Sequence, residues 1–276
     1  MKAILIIYFI FIFADFTGTQ NIDPIPEVFQ SGEILKYKVK WSIFRLGSII
    51  IKTTLDSNYR NLDHYRISMS VQSSPYIPFI YIDEINETLV DCANCMSKYY
   101  YARHKSISDD IEIITSYDLN SRQVFFSLKD LKQNIYKRLE IIHNVPPYLD
   151  GPSLFFFARR NIHSNKQLFV PTIIDGKIDK TRLDFTDSLE YIEVDAISSP
   201  VMTKYCEGFA EWEGGTSAGL SGAFRVWISN DEAAVPVRAE VKILLGSLVI
   251  ELEDFTREGW FSPALDKANG LYSNEN

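Results

Sequence analysis

Hydrophobic and polar residues alternate along most of this chain from residue 32 onward, and this alternation restricts its fold more than any other feature. In residues 32–41 the positions between the apolar residues are lysines, and the apolar residues are Leu35, Tyr37, Val39 and Trp41. A period of two is typical of a β-strand with one face buried and the other in water. Comparable segments recur as far as residue 255, so the sequence predicts an all-β protein.

One segment interrupts the strands. Residues 150–161 begin with Asp150, a typical helix N-cap residue, and contain near their end two arginines, Arg159 and Arg160, that suit the negative end of a helix dipole. The remaining segments are joined by short turns, which we expect near Arg45–Gly47 and at Asp175–Gly176. The predicted architecture is a single curved antiparallel sheet that forms a barrel or half-barrel, with one short helix.

The amino terminus has the pattern of a secretory signal peptide. Lys2 is followed by an uncharged apolar run from Ala3 to Phe13, the arrangement of a charged start and a hydrophobic core. As a helix this run rises only about 16 Å, roughly half the thickness of a bilayer core. We therefore expect export, with cleavage close to Thr19.

These features predict three parts of the chain. Residues 1–20 form the signal peptide, residues 21–262 form one all-β envelope domain, and residues 263–276 form a loose tail without periodicity. No segment after the leader approaches 18 consecutive apolar residues, so we expect no transmembrane segment in the mature chain.

The overall charge argues against nucleic-acid binding. The chain has 36 acidic and 28 basic residues, a formal net charge of −8, whereas contacts to phosphates need a surplus of cations. The four histidines lie in separate segments without the spacing of metal ligands: His64, His104, His143 and His163. We therefore predict no metal and no cofactor.

Three cysteines are present, two of them in a C-x-x-C unit formed by Cys92 and Cys95. In an oxidising compartment we expect a structural bridge, either a Cys92–Cys95 disulfide in a tight turn or one bond to Cys206. A redox pair normally opens a helix in a βαβ unit, and a zinc site needs about four ligands. Those two alternatives, and an inert pair, remain open.

The sequence contains no convincing catalytic constellation. Residues 215–219 match G-x-S-x-G, but they lead into a strand rather than a helix, and no histidine follows Ser217. Glu207, Glu211 and Glu213 share one parity beside Trp212, and paired carboxylates beside an aromatic ring suit a glycan-cleaving or glycan-binding cleft. We predict no catalytic residue, but Trp212 and Glu211 are candidate ligand-binding residues.

Arg238 is the third candidate ligand-binding residue. It lies on the face of its strand opposite Val237 and Ala239. If that face lines a cavity, its guanidinium is suited to an anionic group. If that face meets solvent, we expect Arg238 to pair with an acid on a neighbouring strand, such as Glu251 or Glu253.

Aromatic residues are numerous, with 15 Tyr, 18 Phe and 4 Trp. In a barrel-like sheet, inward aromatics either fill the core or line an apolar cavity. A hydrophobic-ligand protein should therefore contain an aromatic-lined cavity of at least about 300 Å³.

Three blocks of this sequence resemble the bacterial exported proteins of the Domain of Unknown Function 3108 family. The blocks are a Gly-Glu with an aromatic strand, a turn and a second strand at 32–55, an Asp-x-x-Ser helix at 150–160, and a Trp strand, acidic turn, Pro-Val-Arg and closing strand at 223–255. The resemblance implies an all-β protein of the periplasm or cell envelope and carries no activity. The C-x-x-C unit departs from the family pattern.

Three functions stay open at this point. The favoured one is a non-enzymatic envelope protein that binds a hydrophobic, amphiphilic or glycan ligand in the concavity of the sheet. The second is a polysaccharide-acting enzyme that uses the carboxylates near Trp212. The third is an assembly or scaffold protein whose sheet edge docks an envelope partner.

Overall fold

The computed structural model describes residues 28–56, 64–77, 81–174, 176–210, 222–243 and 246–264. Most of them belong to antiparallel strands. The strands are β1 (Ile34–Trp41), β2 (Phe44–Leu55), β3 (His64–Ser73), β4 (Ile82–Asp91), β5 (Ser97–Ser106), β6 (Asp110–Asp118), β7 (Gln123–Asp130), β8 (Ile135–Ile142), β9 (Gln167–Ile174), β10 (Lys177–Ile192), β11 (Val201–Ala210), β12 (Gly222–Ser229), β13 (Pro236–Ile243) and β14 (Gly246–Thr256). The helix is α1 (Gly151–Asn161).

All these strands form one sheet in the order β8-β7-β6-β5-β4-β3-β2-β1-β14-β13-β12-β11-β10-β9. Each neighbouring pair is antiparallel, and the pairing of β1 with β14 joins the two halves of the meander. The sheet is open, because β8 and β9 are its two edges. The predicted fold class, a single antiparallel sheet with one short helix, is confirmed.

The helix segment connects these two edge strands in the chain. Just before α1, the amide of Ser97 on β5 donates to the carbonyl of Tyr148 (3.1 Å). The next residue, Leu149, forms a parallel bridge with Thr172 of β9. The segment therefore hydrogen-bonds to both halves of the sheet near its open side.

A meander places alternate connections at opposite ends of a sheet. One end, called here the helix end, carries α1 and the β4–β5, β10–β11 and β12–β13 connections. The other, called here the far end, carries the β1–β2, β3–β4, β5–β6 and β7–β8 hairpins. This division determines which distant segments meet.

The core follows the alternation of the sequence. On β1, Leu35 and Tyr37 are buried, whereas Lys36 between them is exposed. The same core receives Phe156 from α1, which is fully buried. Burial of these apolar side chains is the main stabilising term for such a fold.

The helix begins where the sequence predicts. Asp150 is its N-cap: its Oδ1 accepts from the Ser153 amide (2.9 Å), while the Ser153 hydroxyl accepts from the Asp150 amide (2.7 Å). This capping box satisfies backbone donors that the first turn leaves without partners. Thr88 of β4 also donates to Asp150 Oδ2 (2.6 Å), which attaches the helix start to the sheet.

The turn expected near Arg45–Gly47 was wrong. The chain turns at Ser42 and Ile43, and Gly47 lies inside β2. A Cβ at Gly47 would lie 2.2 Å from the carbonyl oxygen of Gln72 on β3. The glycine is therefore required by close strand approach rather than by a turn.

The domain boundaries remain predictions. Residues 1–27 and 265–276 lie outside the described residues, and so does the proposed leader. The first tail residues pair with β11, because the amide of Met202 donates to the carbonyl of Pro263 (2.8 Å) and Ala264 bridges Val201. None of the helices in the described ranges has the length and hydrophobicity needed to cross a membrane.

Candidate functional site

A buried ion cluster, consisting of Glu33, Arg159 and Arg257, lies at the helix end. Arg159 donates from Nη1 to Glu33 Oε2 (2.7 Å) and from Nη2 to Glu33 Oε1 (2.9 Å). Arg257 donates from Nη1 to Glu33 Oε1 (2.5 Å). The Arg159 and Glu33 side chains are 0% and 1% exposed. The cluster therefore has almost no access to solvent.

Backbone carbonyls complete the cluster. Arg159 also donates to the carbonyls of Ala234 (3.0 Å) and Ala233 (2.9 Å) in the β12–β13 connection. Burial by itself raises the pKa of Glu33, but the charges and hydrogen bonds of the two arginines more than offset this and lower it below its ordinary value. Glu33 is therefore ionised at neutral pH.

The ion cluster joins four distant segments: the start of β1, the end of α1, the β12–β13 connection and the residue after β14. The three sequence blocks at 32–55, 150–160 and 223–255 thus meet here. Because the cluster is closed to solvent, we assign it a structural role. In the sequence, Arg159 is recognisable only as a cation favourable near the end of a helix, and its partners are not apparent.

A second polar group lies on the buried face of β4 and β5. Tyr100 donates to Asn86 Oδ1 (2.7 Å), Asn86 donates to Glu84 Oε1 (3.0 Å), and His104 Nδ1 lies 3.2 Å from that same oxygen. These residue types carry acid–base chemistry in enzymes. None of them lines either of the two clefts described below.

The larger cleft, called here the 193–200 cleft, lies between the β10–β11 connection and the outward face of β1 and β14. Its volume is about 480 Å³. The lining residues are Lys38, Lys40, Glu193, Val194, Asp195, Ile197, Ser198, Ser199, Pro200 and Glu251. A smaller cleft of about 90 Å³ is formed by Asp83, Ile85, Arg103 and Lys105.

Most charges in the 193–200 cleft are paired, and its two lysines and three carboxylates leave a formal net charge of −1. Lys38 forms ion pairs with Asp195 and with Glu251 (3.5 Å), and Lys40 pairs with Glu251. Partial burial alone lowers the pKa of Lys38, but Asp195 and Glu251 raise it above its ordinary value. The cleft floor therefore offers ammonium donors and carboxylate acceptors together.

Arg238 lies beside the 193–200 cleft. Its Nη2 donates to Glu240 (2.7 Å), its Nη1 is 3.9 Å from Glu251 Oε1, and its guanidinium lies over the Trp227 ring. The structure thus shows the cross-strand ion pair that was one of the two alternatives for this residue. Arg238 contacts the lining of the cleft at Glu251.

The other two candidate ligand residues, Glu211 and Trp212, lie outside the described residues. Glu207, which has the same strand parity as Glu211 in the sequence, pairs with Arg225 on β12. The acidic segment of β4 is divided between two faces, since Glu84 is buried and Asp83 and Glu87 are not. Glu207 thus has a cationic partner, and Glu84 accepts from the amide of Asn86.

No disulfide joins Cys92, Cys95 or Cys206 in the structure, and all three side chains are buried. Cys95 has a φ of 61° in the β4–β5 turn. Burial raises the pKa of its thiol to about 12, which Arg160 offsets only in part. A protonated, enclosed thiol is a poor nucleophile. The proposed bridge is not formed here and stays a prediction for an oxidising compartment.

The two clefts do not match the aromatic-lined cavity expected for a hydrophobic ligand. Neither is lined by an aromatic side chain. Inward aromatics such as Tyr37, Phe126 and Phe156 are packed in the core. Within the described ranges no group of three acidic, His or Cys side chains is arranged to hold a metal ion.

A solved structure shares this architecture. It is described as the crystal structure of a beta-barrel-like protein of Domain of Unknown Function DUF1849 from Brucella abortus, with a TM-score of 0.52 and 9% sequence identity, and the match covers 82% of this chain and 98% of that one. At this identity the likeness shows the fold alone. Comparison with curated proteins found no match.

The family comparison is more direct. The model of "Protein of unknown function (DUF3108)" matches residues 36–253, which run from within β1 to within β14 and include the helix and the lining of the 193–200 cleft. The chain therefore belongs to the DUF3108 family.

Proposed function

We propose that this chain is an exported, non-catalytic protein of the bacterial periplasm or cell envelope that binds a neutral saccharide in the 193–200 cleft. One observation carries the ligand proposal: a polar cleft of about 480 Å³ lies within the usual size range of small-ligand sites, roughly 300–1,000 Å³.

Its chemistry favours a ligand rich in hydroxyl groups. The lining combines ammonium groups, carboxylates and the hydroxyls of Ser198 and Ser199, and a sugar hydroxyl both donates and accepts hydrogen bonds. An anionic ligand would have to displace Glu251 and Asp195 from the lysines. A purely apolar ligand would leave these charges desolvated. The hydrophobic alternative therefore has less support at this site.

Export is supported by the leader pattern of residues 1–13. Expression in a bacterial host is expected to give protein in the periplasmic fraction with a mature amino terminus close to Thr19. Amino-terminal sequencing of the protein in that fraction identifies the cleavage site. An intact Met1 in cytoplasmic protein would contradict export.

Filling the cleft is expected to abolish saccharide binding. Ser199→Trp places an indole among the lining residues without removing a charge. We expect at least about tenfold weaker binding, because the indole occupies the space in which the saccharide would hydrogen-bond to the cleft. Isothermal titration calorimetry with chitotetraose and maltotetraose is the measurement. Ser121→Trp, in the exposed β6–β7 turn, is the matched control and should bind as the parent does.

Three results would contradict the proposal. They are no binding of any of these sugars, equal binding by Ser199→Trp, or hydrolysis of the sugars by the parent protein. Hydrolysis lost in Glu211→Gln would instead favour the enzymatic alternative.

A further inference from the structure

Several of the most exposed apolar side chains lie at the far end of the sheet. Tyr76 is 90% exposed, Ile43 85%, Ile107 68%, and Phe44 and Ile135 55% each. These five, called here the tip residues, belong to the four hairpins β1–β2, β3–β4, β5–β6 and β7–β8. Elsewhere in the described ranges, large apolar residues of comparable exposure are Leu119 and Phe261 at the helix end and Leu139, Ile141 and Phe169 within β8 and β9.

The four hairpins are neighbours along one edge. Strands in a sheet lie about 4.8 Å apart, so consecutive hairpins lie about 10 Å apart and the four tips span roughly 30 Å. Serines flank the apolar tips at Ser42, Ser74, Ser106 and Ser108. The described tip residues therefore lie on four successive hairpins along one edge of the sheet.

Amphipathic rings lie just behind the tips. Trp41 ends β1, Tyr81 precedes β4 and Tyr136 is the second residue of β8, and their exposed fractions are 38%, 44% and 55%. Rings of this kind are enriched at the level of lipid headgroups, with apolar side chains deeper. The order of side chains along the hairpins is the order found at a bilayer surface.

We propose that the far end docks on a lipid bilayer, with the tip residues inserted at the boundary between headgroups and acyl chains. A fluid apolar phase accepts each separate tip without a matching pocket, whereas a folded partner would need several pockets at fixed spacing. Surface docking of this kind needs no membrane-spanning segment.

Vesicle binding tests this inference. The parent protein is expected to co-sediment with sucrose-loaded phosphatidylcholine vesicles. Ile43→Ser/Tyr76→Ser/Ile107→Ser should lower the partition coefficient at least about tenfold, because three apolar side chains no longer leave water. Exposed positions contribute little to folding, so the variant should keep the parent's melting temperature.

Leu119→Ser/Phe261→Ser is the matched control, since it removes exposed apolar residues from the helix end and leaves the tip residues unchanged. It should partition within about twofold of the parent. The inference is overturned if the parent does not bind vesicles, or if the triple variant binds as well as the control. Self-association of the parent that the triple variant loses would also overturn it, because the tips would then contact a second copy.

Discussion

Glu33→Gln is expected to lower the free energy of unfolding by about 3–5 kcal/mol, since it removes the anion from a buried ion cluster and leaves two arginines facing each other. Arg159 has no exposed side-chain surface, so water cannot replace the lost carboxylate. Urea denaturation at pH 7, followed by circular dichroism, measures the change.

Glu253→Gln is the matched control for this variant. Glu253 accepts two hydrogen bonds from Arg45 (2.5 and 2.8 Å), as Glu33 does from Arg159, but its side chain is 35% exposed. We expect a loss of no more than about 1 kcal/mol for such a surface pair. Equal losses for the two variants would contradict a special role for burial.

The contribution of Glu33 should also depend on pH. Because its pKa is lower in the folded protein than its ordinary value of 4.5, the unfolded state binds the proton more readily, and the stabilisation is present above the unfolded pKa. It is lost as the pH falls from about 4.5 through the folded pKa. The difference in stability between the parent and Glu33→Gln should therefore be constant near neutral pH and shrink in acid. A difference that grows in acid would contradict this assignment.

Phe156→Ala is expected to cost about 3–5 kcal/mol, because it opens a cavity in the core. The Phe156 ring is fully buried, stacks on Phe29 with centroids 4.7 Å apart, and lies under the Arg159 guanidinium at 4.8 Å. Denaturant midpoints at constant m value measure the loss. Phe169→Ala, at a ring 55% exposed on β9, should cost less than about 1 kcal/mol.

A double variant tests whether the helix ring and the ion cluster act together. Both Phe156 and Glu33 contact Arg159, so Phe156→Ala/Glu33→Gln should differ from the sum of the single variants by at least about 0.5 kcal/mol. Strict additivity would show that the cluster does not depend on the ring beneath it.

Much of the fold is predictable because it depends on neighbours in the chain. The alternation of Leu35 and Tyr37 with lysines predicts β1 and its buried face, and Asp150 with Ser153 predicts the start of α1. These signals are local: a strand has a period of two, and an N-cap bonds within one turn. The turn predicted at Gly47 was wrong, because a glycine is needed there for close contact with Gln72 of β3, which is 25 residues further along the chain.

The candidate site was less predictable. Glu33, Arg159 and Arg257 each look like an ordinary surface charge, and the sequence does not show that they meet. Lys38 and Glu251 of the 193–200 cleft are likewise distant in the chain and adjacent across β1 and β14. Arg238 was identified, but only the register of β13 with β14 decides between its two alternatives.

The amino-acid sequence by itself determined the secondary structure, the buried face of its strands and the helix cap, because each depends on residues close in the chain. Only the tertiary structure decided that the sheet stays open, that its inward aromatics pack into a core, and that polar groups gather in an outward cleft. Those outcomes depend on strand order and curvature, which bring together residues from opposite ends of the chain.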